Sequence, residues 1–599
     1  MAYQETDNRL TRWWFRVVTW RDNHISEKTL LAVLSLVVGI LSGVAAQLLK
    51  WLIHFIQHLL TGRFSVTGAN WLYLVWPLVG LVLSLIFVKY VVRDNISHGV
   101  TRVLYAISQR KSRLKTRNIY GSIGGAAVTI GFGGSVGAEG PIVLAGSSIG
   151  SKVGQAFRLS PKLLMILVGC GAAAGIAGIF RAPIAGMLFT LEVLMIDLTG
   201  ATVMPLLIAS ITSATVAYCL EGYSAEFFFT QSEPFLTSKI PYALLLGVFT
   251  GFVSLYFSKS VMMMEGIFRQ VSSKALKFCM GGASLALLIF LFPPLYGEGY
   301  DSINQLLAGD PGSVVSGTFF YIDRGSAWFL VAFIGAIILC KGFATASTNG
   351  AGGVGGTFAP SLFVGALTGY LFAYICNLLP FGMELSCQNF ALLGMAGVMA
   401  GVMHAPLMGI FLTAEMTGGY ELFLPLLIVS TLSYGTVRIF QHYSLYTERL
   451  ARQGNLMTHQ KDKTVLTLLK VGNLIETDFI PVTADMTLGQ MVDTVARSHR
   501  NLFPVVDATG QLLGVVLLDD IRNIMFRSDL YPKMHVQKFM SRPPAVIEAD
   551  EKMDNVMEAF DRTHAWNLPV VDHGRYLGFV SKSKIFNSYR RVLRHYCDD

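Results

Sequence analysis

Apolar residues run almost uninterrupted through long blocks of this chain, among them residues 30–49, 71–92 and 244–257, each flanked by charged residues. The first two approach the roughly 20 residues that a helix needs to cross a bilayer, so the pattern predicts a polytopic, mainly α-helical membrane protein. Other apolar blocks are too short or too rich in glycine to span. Helices broken in this way are tolerated inside a membrane only where protein or a watery cavity satisfies their backbone, which predicts the interior of a channel or transporter.

Two of the interrupted blocks match each other. One reads GCGAAAGIAGIFRAPIAGMLFTLEV from Gly169 and the other GMAGVMAGVMHAPLMGIFLTAEM from Gly394. Ala182-Pro183 and Glu192 recur as Ala405-Pro406 and Glu415 at one constant interval. Upstream, FGGSVGAEGPIVLAG, which holds Gly137, Ala138, Glu139, Gly140 and Pro141, has a counterpart in GAGGVGGTFAPSLFVGALTG, which holds Gly356, Thr357, Phe358, Ala359 and Pro360. The membrane part is therefore two related halves. Paired interrupted segments point to a substrate site at the interface of the halves, and inverted topology is their usual arrangement.

Glu139 is the leading chemical candidate. A carboxylate in hydrocarbon-like surroundings is costly and is kept mainly where it faces a pathway. Its glycine neighbours let backbone approach a ligand closely, and Pro141 marks a first helical turn, where free N–H groups and the helix dipole favour an anion. A carboxylate and a halide both suit such a place. The plainer reading is a structural carboxylate that accepts backbone hydrogen bonds at a helix start.

Composition narrows the class. The 599 residues are 53% hydrophobic and 14% charged, with mean hydropathy +0.52, against about 25% charge in a soluble globule. The net charge of +9 is scattered over hydrophobic flanks and the tail, which fits the positive-inside rule and a lipid partner rather than nucleic acid. Seven cysteines with no CxxC pair predict neither a disulfide framework nor a metal site, and no cofactor is expected in the membrane part. Residues 1–28 interleave Arg9, Arg12, Arg16 and Arg21 with Trp13, Trp14 and Trp20; they read as a cytoplasmic interfacial segment or as a frayed tail, with no cleavable signal peptide. The basic cluster Arg110, Lys111, Arg113, Lys115 and Arg117 places its loop on the cytoplasmic side as well. Together these features predict a multi-pass protein with both termini cytoplasmic, in a plasma or inner membrane. Gly350, Gly352 and Gly355 satisfy GxGxxG, but without a βαβ unit around them the dinucleotide reading fails. No HExxH and no CxxC pair occurs in the core, which argues against an enzyme.

Past Gln453 the charge density rises and long apolar runs stop. Residues 453–470 read as a linker between the membrane region at 29–452 and two similar segments, 471–531 and 532–599. Each segment has an extended start, a helix, a PVVD strand, a Gly-led strand and a further helix, which predicts paired soluble α+β modules.

The succession GAEGP at Glu139, GTFAP at Phe358 and SLYTE at Tyr446, across a duplicated core, resembles the CLC family of chloride channels and chloride/proton exchangers. The resemblance covers nearly the whole chain, and the tail resembles a tandem CBS pair. It implies two inverted halves with broken helices, a homodimer, and one anion pathway per subunit. Backbone amides near Thr357 and Phe358 would hold chloride, the Tyr446 hydroxyl would donate to it from the cytoplasmic side, and Glu139 would be the gate. The motif with an ion-contacting serine aligns with Ser97-His98-Gly99-Val100-Thr101, so that serine becomes His98 and a proline becomes Thr101. The imidazole either donates an N–H to the anion or points aside and leaves only backbone to donate. Proton-coupled members carry a glutamate where this chain has Val193. The missing relay implies a channel-like pathway; the alternative is a chloride/proton antiporter with another proton route. Nucleotide-binding CBS pairs use a hydroxyl and an Asp three residues later; here these are split between Asp520, paired with Leu517, and Ser581, paired with Lys584. The tail is then a dimerisation or regulatory platform, with adenine nucleotide as its one possible ligand. A CBS-regulated cation transporter is a remote alternative, disfavoured by the few intramembrane acids. The intact GAEGP motif and Tyr446 disfavour a fluoride-selective branch.

Overall fold

The computed structural model describes residues 21, 24–61, 71–94, 96–109, 112–222, 227, 235–315, 318, 327–379, 384–451 and 471–588. Most of the expected interfacial segment at residues 1–28, the linker at 453–470 and Cys597 lie outside the described residues. The chain forms two compact units, Met1–Leu456 and Met457–Asp599.

The regular elements among the described residues of the first unit are all helices. Nine of its helices, among the described residues, are long and apolar enough to cross a membrane. The block at 30–49 is part of a helix of 35 residues, Glu27–Thr61, about 50 Å long at 1.5 Å per residue. Such a helix exceeds a hydrocarbon core of about 30 Å and fits by tilting. The block at 71–92 forms the helix Leu72–Ile86, which runs into a π-helix, Phe87–Val92, that ends on Arg93 in the left-handed region. The block at 244–257 lies inside the longer helix Ile240–Gln270.

Burial sorts these helices into layers. The apolar windows of Pro161–Phe180 and Phe358–Leu378 are 89% and 83% buried, whereas those of Leu72–Val92 and Lys274–Leu291 are 28% buried. The former pair lies in the centre of this unit and the latter pair faces outward. Two of the helices that are far too short to span correspond to each other: Pro183–Glu192 with 10 residues and Pro406–Thr417 with 12. Each begins at an Ala-Pro step, where proline suits a first helical position. Each also follows a helix that stops on a left-handed residue, Arg181 (φ 55°) or His404 (φ 56°).

The halves repeat in packing as well as in sequence. Helix Glu139–Ala156 crosses Pro161–Phe180 with Gly146 against Gly171, and Phe358–Leu378 crosses Cys387–Met403 with Gly365 against Gly394. At each crossing a Cβ on either glycine would run into the backbone of the other helix. Small residues of this kind let helix backbones approach closely in a membrane, where dispersion rather than the hydrophobic effect drives association.

The second unit holds two small sheets. Strand β1 (Leu502–Val506) pairs antiparallel with β2 (Leu512–Leu517), with Val482 bridged in parallel to Val505. Strand β4 (Asn567–Asp572) lies between parallel β3 (Ile547–Glu548) and antiparallel β5 (Arg575–Ser581). The helices Leu488–Arg497 and Met553–Thr563 complete the two α+β modules. The modules exchange their leading segments. Val471 and Leu474 pack with Ile547, Val556 and Phe560 of the second module, and Glu476 bridges to Phe579. Val536 packs with Met491, Phe503 and Val516 of the first, and Ser541 bridges to Val515. The segments predicted at 471–531 and 532–599 are thus modules by sequence pattern, but neither core is built from one of them alone.

Candidate functional site

The two glycine-rich loops meet at the centre of the first unit. Gly137 and Gly356 exchange backbone hydrogen bonds, N–H to carbonyl at 3.1 and 2.7 Å, as an isolated antiparallel bridge. A Cβ at either position would overlap the Glu139 carboxylate, so glycine at both keeps that seat open to it. The bridge sets the start of helix Glu139–Ala156 beside the start of helix Phe358–Leu378, whose first amides have no partner within the helix.

Glu139 is buried, and its Oε1 accepts the Phe358 N–H at 2.6 Å. The carboxylate therefore occupies a helix N-terminus, the kind of place that suits an anion. Among the described residues its other oxygen, Oε2, is buried without a hydrogen-bond partner, as are the hydroxyls of Thr357 and Tyr446. Tyr446 lies beside Thr357 and Glu139. Buried hydroxyls without partners are costly; here two donors and a helix N-terminus converge on the place that Glu139 fills. Neutral donors of this kind offset dehydration of an anion without trapping it. The Phe358 ring stacks on Phe180 with centroids 5.3 Å apart, so the ring packs and the backbone N–H is left for the site.

Gly140, Pro141, Ala359 and Pro360 are buried and shape the two helix starts. Ala138 donates its N–H to Glu298 Oε1 at 2.9 Å. Three residues earlier in the same loop, Ser135 Oγ accepts from the ammonium of Lys341 at 2.9 Å. Lys341 is completely buried, also donates to the Gly297 carbonyl at 3.3 Å, and lies 4.7 Å from the centroid of the Phe363 ring.

His98 has φ 57° and precedes helix Gly99–Gln109. Its Nε2 faces Glu265 Oε1 at 4.0 Å. Glu265 accepts from Arg449 through both oxygens, at 2.5 and 3.1 Å, and the Arg449 guanidinium lies 6.0 Å from the centroid of the Tyr446 ring. The imidazole is thus turned toward a carboxylate. Val193 is buried and caps helix Pro183–Glu192, so the position after Glu192 holds an apolar side chain packed in the core.

Glu192 itself accepts the N–H groups of Leu407 and Met408 at 3.2 and 2.8 Å, and Glu415 accepts those of Ile184 and Ala185 at 3.0 and 2.9 Å. Each half thereby caps the short helix of the other, a reciprocity that marks an internal two-fold relation. Glu192→Ala leaves two amides unpaired and is expected to destabilise the protein by about 3 kcal/mol, read as a lowered Tm, with Glu192→Gln losing less. An unchanged Tm in Glu192→Ala would contradict this role.

Sequence reasoning did not single out Lys341, Glu298, Glu265 or Arg449. The signal was present for Lys341 and Glu265, as ionisable residues within apolar helices. In the tail, Asp520 accepts the Leu517 N–H at 3.1 Å, and Ser581 both donates to Glu476 Oε1 at 2.7 Å and accepts the Lys584 N–H at 3.1 Å. Both are engaged in local contacts, and they belong to different modules.

Comparison with known proteins follows the same lines. A family model described as voltage gated chloride channel matches residues 79–438, and the CBS domain model matches 471–527 and 536–591. A putative chloride channel protein, ClcB-like, of Ralstonia nicotianae is 30% identical over 387 residues, 64% of this chain and 86% of the relative. The crystal structure of a CLC-type fluoride/proton antiporter is similar with TM-score 0.57 and 26% identity, over 70% of this chain and 97% of that one. That of a slow cyanobacterial Cl-/H+ antiporter shares the fold with TM-score 0.60 at 22% identity, over 72% of this chain and 98% of that one. With two glycine-led helix starts facing each other across a duplicated membrane core and a CBS pair later in the sequence, the chain belongs to the CLC family of voltage gated chloride channels.

Proposed function

We propose that this protein carries chloride across the membrane through one pathway per subunit of a homodimer, with Glu139 as the gate. The observation that carries the reading is the Glu139 carboxylate seated on the Phe358 N–H. An ionised Glu139 competes with chloride for that seat; a protonated or displaced one leaves it open. Thr357, Tyr446 and the Phe358 N–H supply the donors, and the similarity to a putative chloride channel supports the choice of ion. The protein has no catalytic role in this reading, and both termini are cytoplasmic, in a plasma or inner membrane.

The apolar Val193 favours passive, channel-like conduction. Exchange for protons by another route is the second reading, favoured by the titratable cluster at His98 and by the likeness to solved antiporters. Reconstitution in liposomes with simultaneous chloride and pH electrodes separates the two. A chloride gradient that drives protons uphill establishes exchange; chloride flux without proton movement establishes conduction; no chloride flux at all overturns the proposal.

The tail serves as a dimerisation or regulatory platform. Titration of the isolated tail with ATP, ADP and AMP is expected to give no binding heat, since Asp520 and Ser581 are held in local contacts. A saturable heat would instead give the tail a nucleotide site.

A further inference from the structure

The Tyr446 side of the site carries a second set of ionisable groups, built from three separate parts of the chain. Glu265 and Arg449 are both buried inside the protein, their side chains 12% and 5% accessible, whereas His98 beside them keeps 29% of its side chain accessible. Helix Gly99–Gln109, which His98 leads, packs against both helix Glu139–Ala156 and helix Leu445–Ala451. At the first contact the fit is so close that a Cβ on Gly99 would overlap the Gly140 carbonyl. His98 is therefore one residue from a direct backbone contact with the residue that follows Glu139. Through Glu265 and Arg449 it is also linked to the ring of Tyr446.

The charges around the imidazole decide what it can do. Helix Ile240–Gln270 presents Glu265 and Arg269 to it and helix Leu445–Ala451 presents Arg449, while Glu139 of helix Glu139–Ala156 faces Tyr446. On its own segment Asp94 is paired with Arg102 and Lys115 at 3.2 and 2.8 Å. Glu265 is already neutralised by Arg449, and Arg269 adds a further positive charge. With the anion place empty, an imidazolium here has no unshared counter-charge. A halide arriving near Tyr446 brings one, and binding and protonation then favour each other by the same factor, as linkage requires.

We propose that His98, held against the Glu265–Arg449 pair, binds a proton together with chloride on the Tyr446 side of the pathway. The His98 side chain is the proton acceptor, through an imidazole nitrogen; Glu265 and Arg449 are positioning residues that fix the ring and set its local charge. No covalent step is involved: a proton from water adds to a ring nitrogen as the anion enters, and leaves as the anion leaves. The inference rests on the anion reading of the site given above. It makes His98 a control point independent of Glu139, with Val193 playing no part.

The test uses the purified full-length chain carrying Glu139→Gln, which removes that carboxylate's own titration. Calorimetric titration with sodium chloride in two buffers of different ionisation enthalpy counts the protons taken up per anion bound. Uptake of a fraction of a proton per chloride is expected, with binding about fivefold tighter near pH 5.5 than near pH 7.5, a modest charge-coupling effect. Adding His98→Asn or His98→Gln, two variants so that one folded protein suffices, should abolish the uptake and flatten the pH dependence, leaving chloride affinity no tighter than the high-pH value of Glu139→Gln alone. Glu265→Gln should move the dependence to lower pH. Proton uptake that persists unchanged without His98, or chloride binding with no uptake in Glu139→Gln, overturns the inference and leaves the anion reading intact. Failure of every variant to bind chloride overturns the anion reading itself.

Discussion

Chloride flux through Glu139→Gln in liposomes is expected to lose most of its dependence on pH between about pH 5 and about pH 8, while flux itself is retained. In the native chain the same measurement should show flux rising as the pH falls. The sign follows from the geometry. The ionised Glu139 carboxylate holds the Phe358 N–H at 2.6 Å, and taking up a proton removes the charge that makes it a competitor for an anion place. Glutamine keeps the shape without the charge, and Glu139→Ala removes the competitor altogether, so both variants should conduct at high pH where the native chain is slow. Any residual slope in the variants would belong to His98. A steep, native-like pH dependence in both Glu139 variants would exclude the gate.

Gly171→Val and Gly394→Val are each expected to abolish recovery of folded protein, judged by loss of a monodisperse peak in detergent. Gly171 sits where any Cβ meets the backbone of Gly146, and Gly394 where it meets that of Gly365 and Gly369. Backbone cannot rotate away as a side chain can, so the two helices must separate, and the central layer that holds both helix starts separates with them. The loss should exceed about 4 kcal/mol, the range reserved for severe core defects. Gly335→Ala supplies the contrast: it lies in helix Ala327–Gly350 with nothing within 4 Å of an added Cβ, and alanine favours a helix over glycine by about 1 kcal/mol. Normal recovery of Gly171→Val would mean that the crossing tolerates more separation than these contacts imply.

Much of this arrangement is legible in the sequence because the relevant signals are local. Glu139, Phe358 and Tyr446 stand in short motifs beside glycine or proline, and the duplicated Ala-Pro steps mark helix starts that the fold reproduces at Pro183 and Pro406. The repeat marks Glu192 and Glu415 as equivalent positions but does not show that each caps the other half's short helix. The identity of the partner depends on how the halves face each other, which no local pattern encodes. The same reason hides Glu265 and Arg449, which lie far apart in the chain, and Lys341, whose partner Ser135 belongs to the other half. The π-helix at Phe87–Val92 is invisible for a different reason: its residues continue an apolar run whose composition does not change where the hydrogen-bond register does. At His98 both the donor role and the sideways orientation were open, and the carboxylate that faces the ring lies in a distant helix.

The crossed leading segments of the tail carry a consequence of their own. Because Val471 and Leu474 complete one core and Val536 the other, neither module can be excised without leaving its sibling with an unfilled interior. A pull on the chain at Val471 loads the core of the second module first, although the first module comes next in the sequence. Strain entering either module is thus shared with its sibling through the exchanged segments.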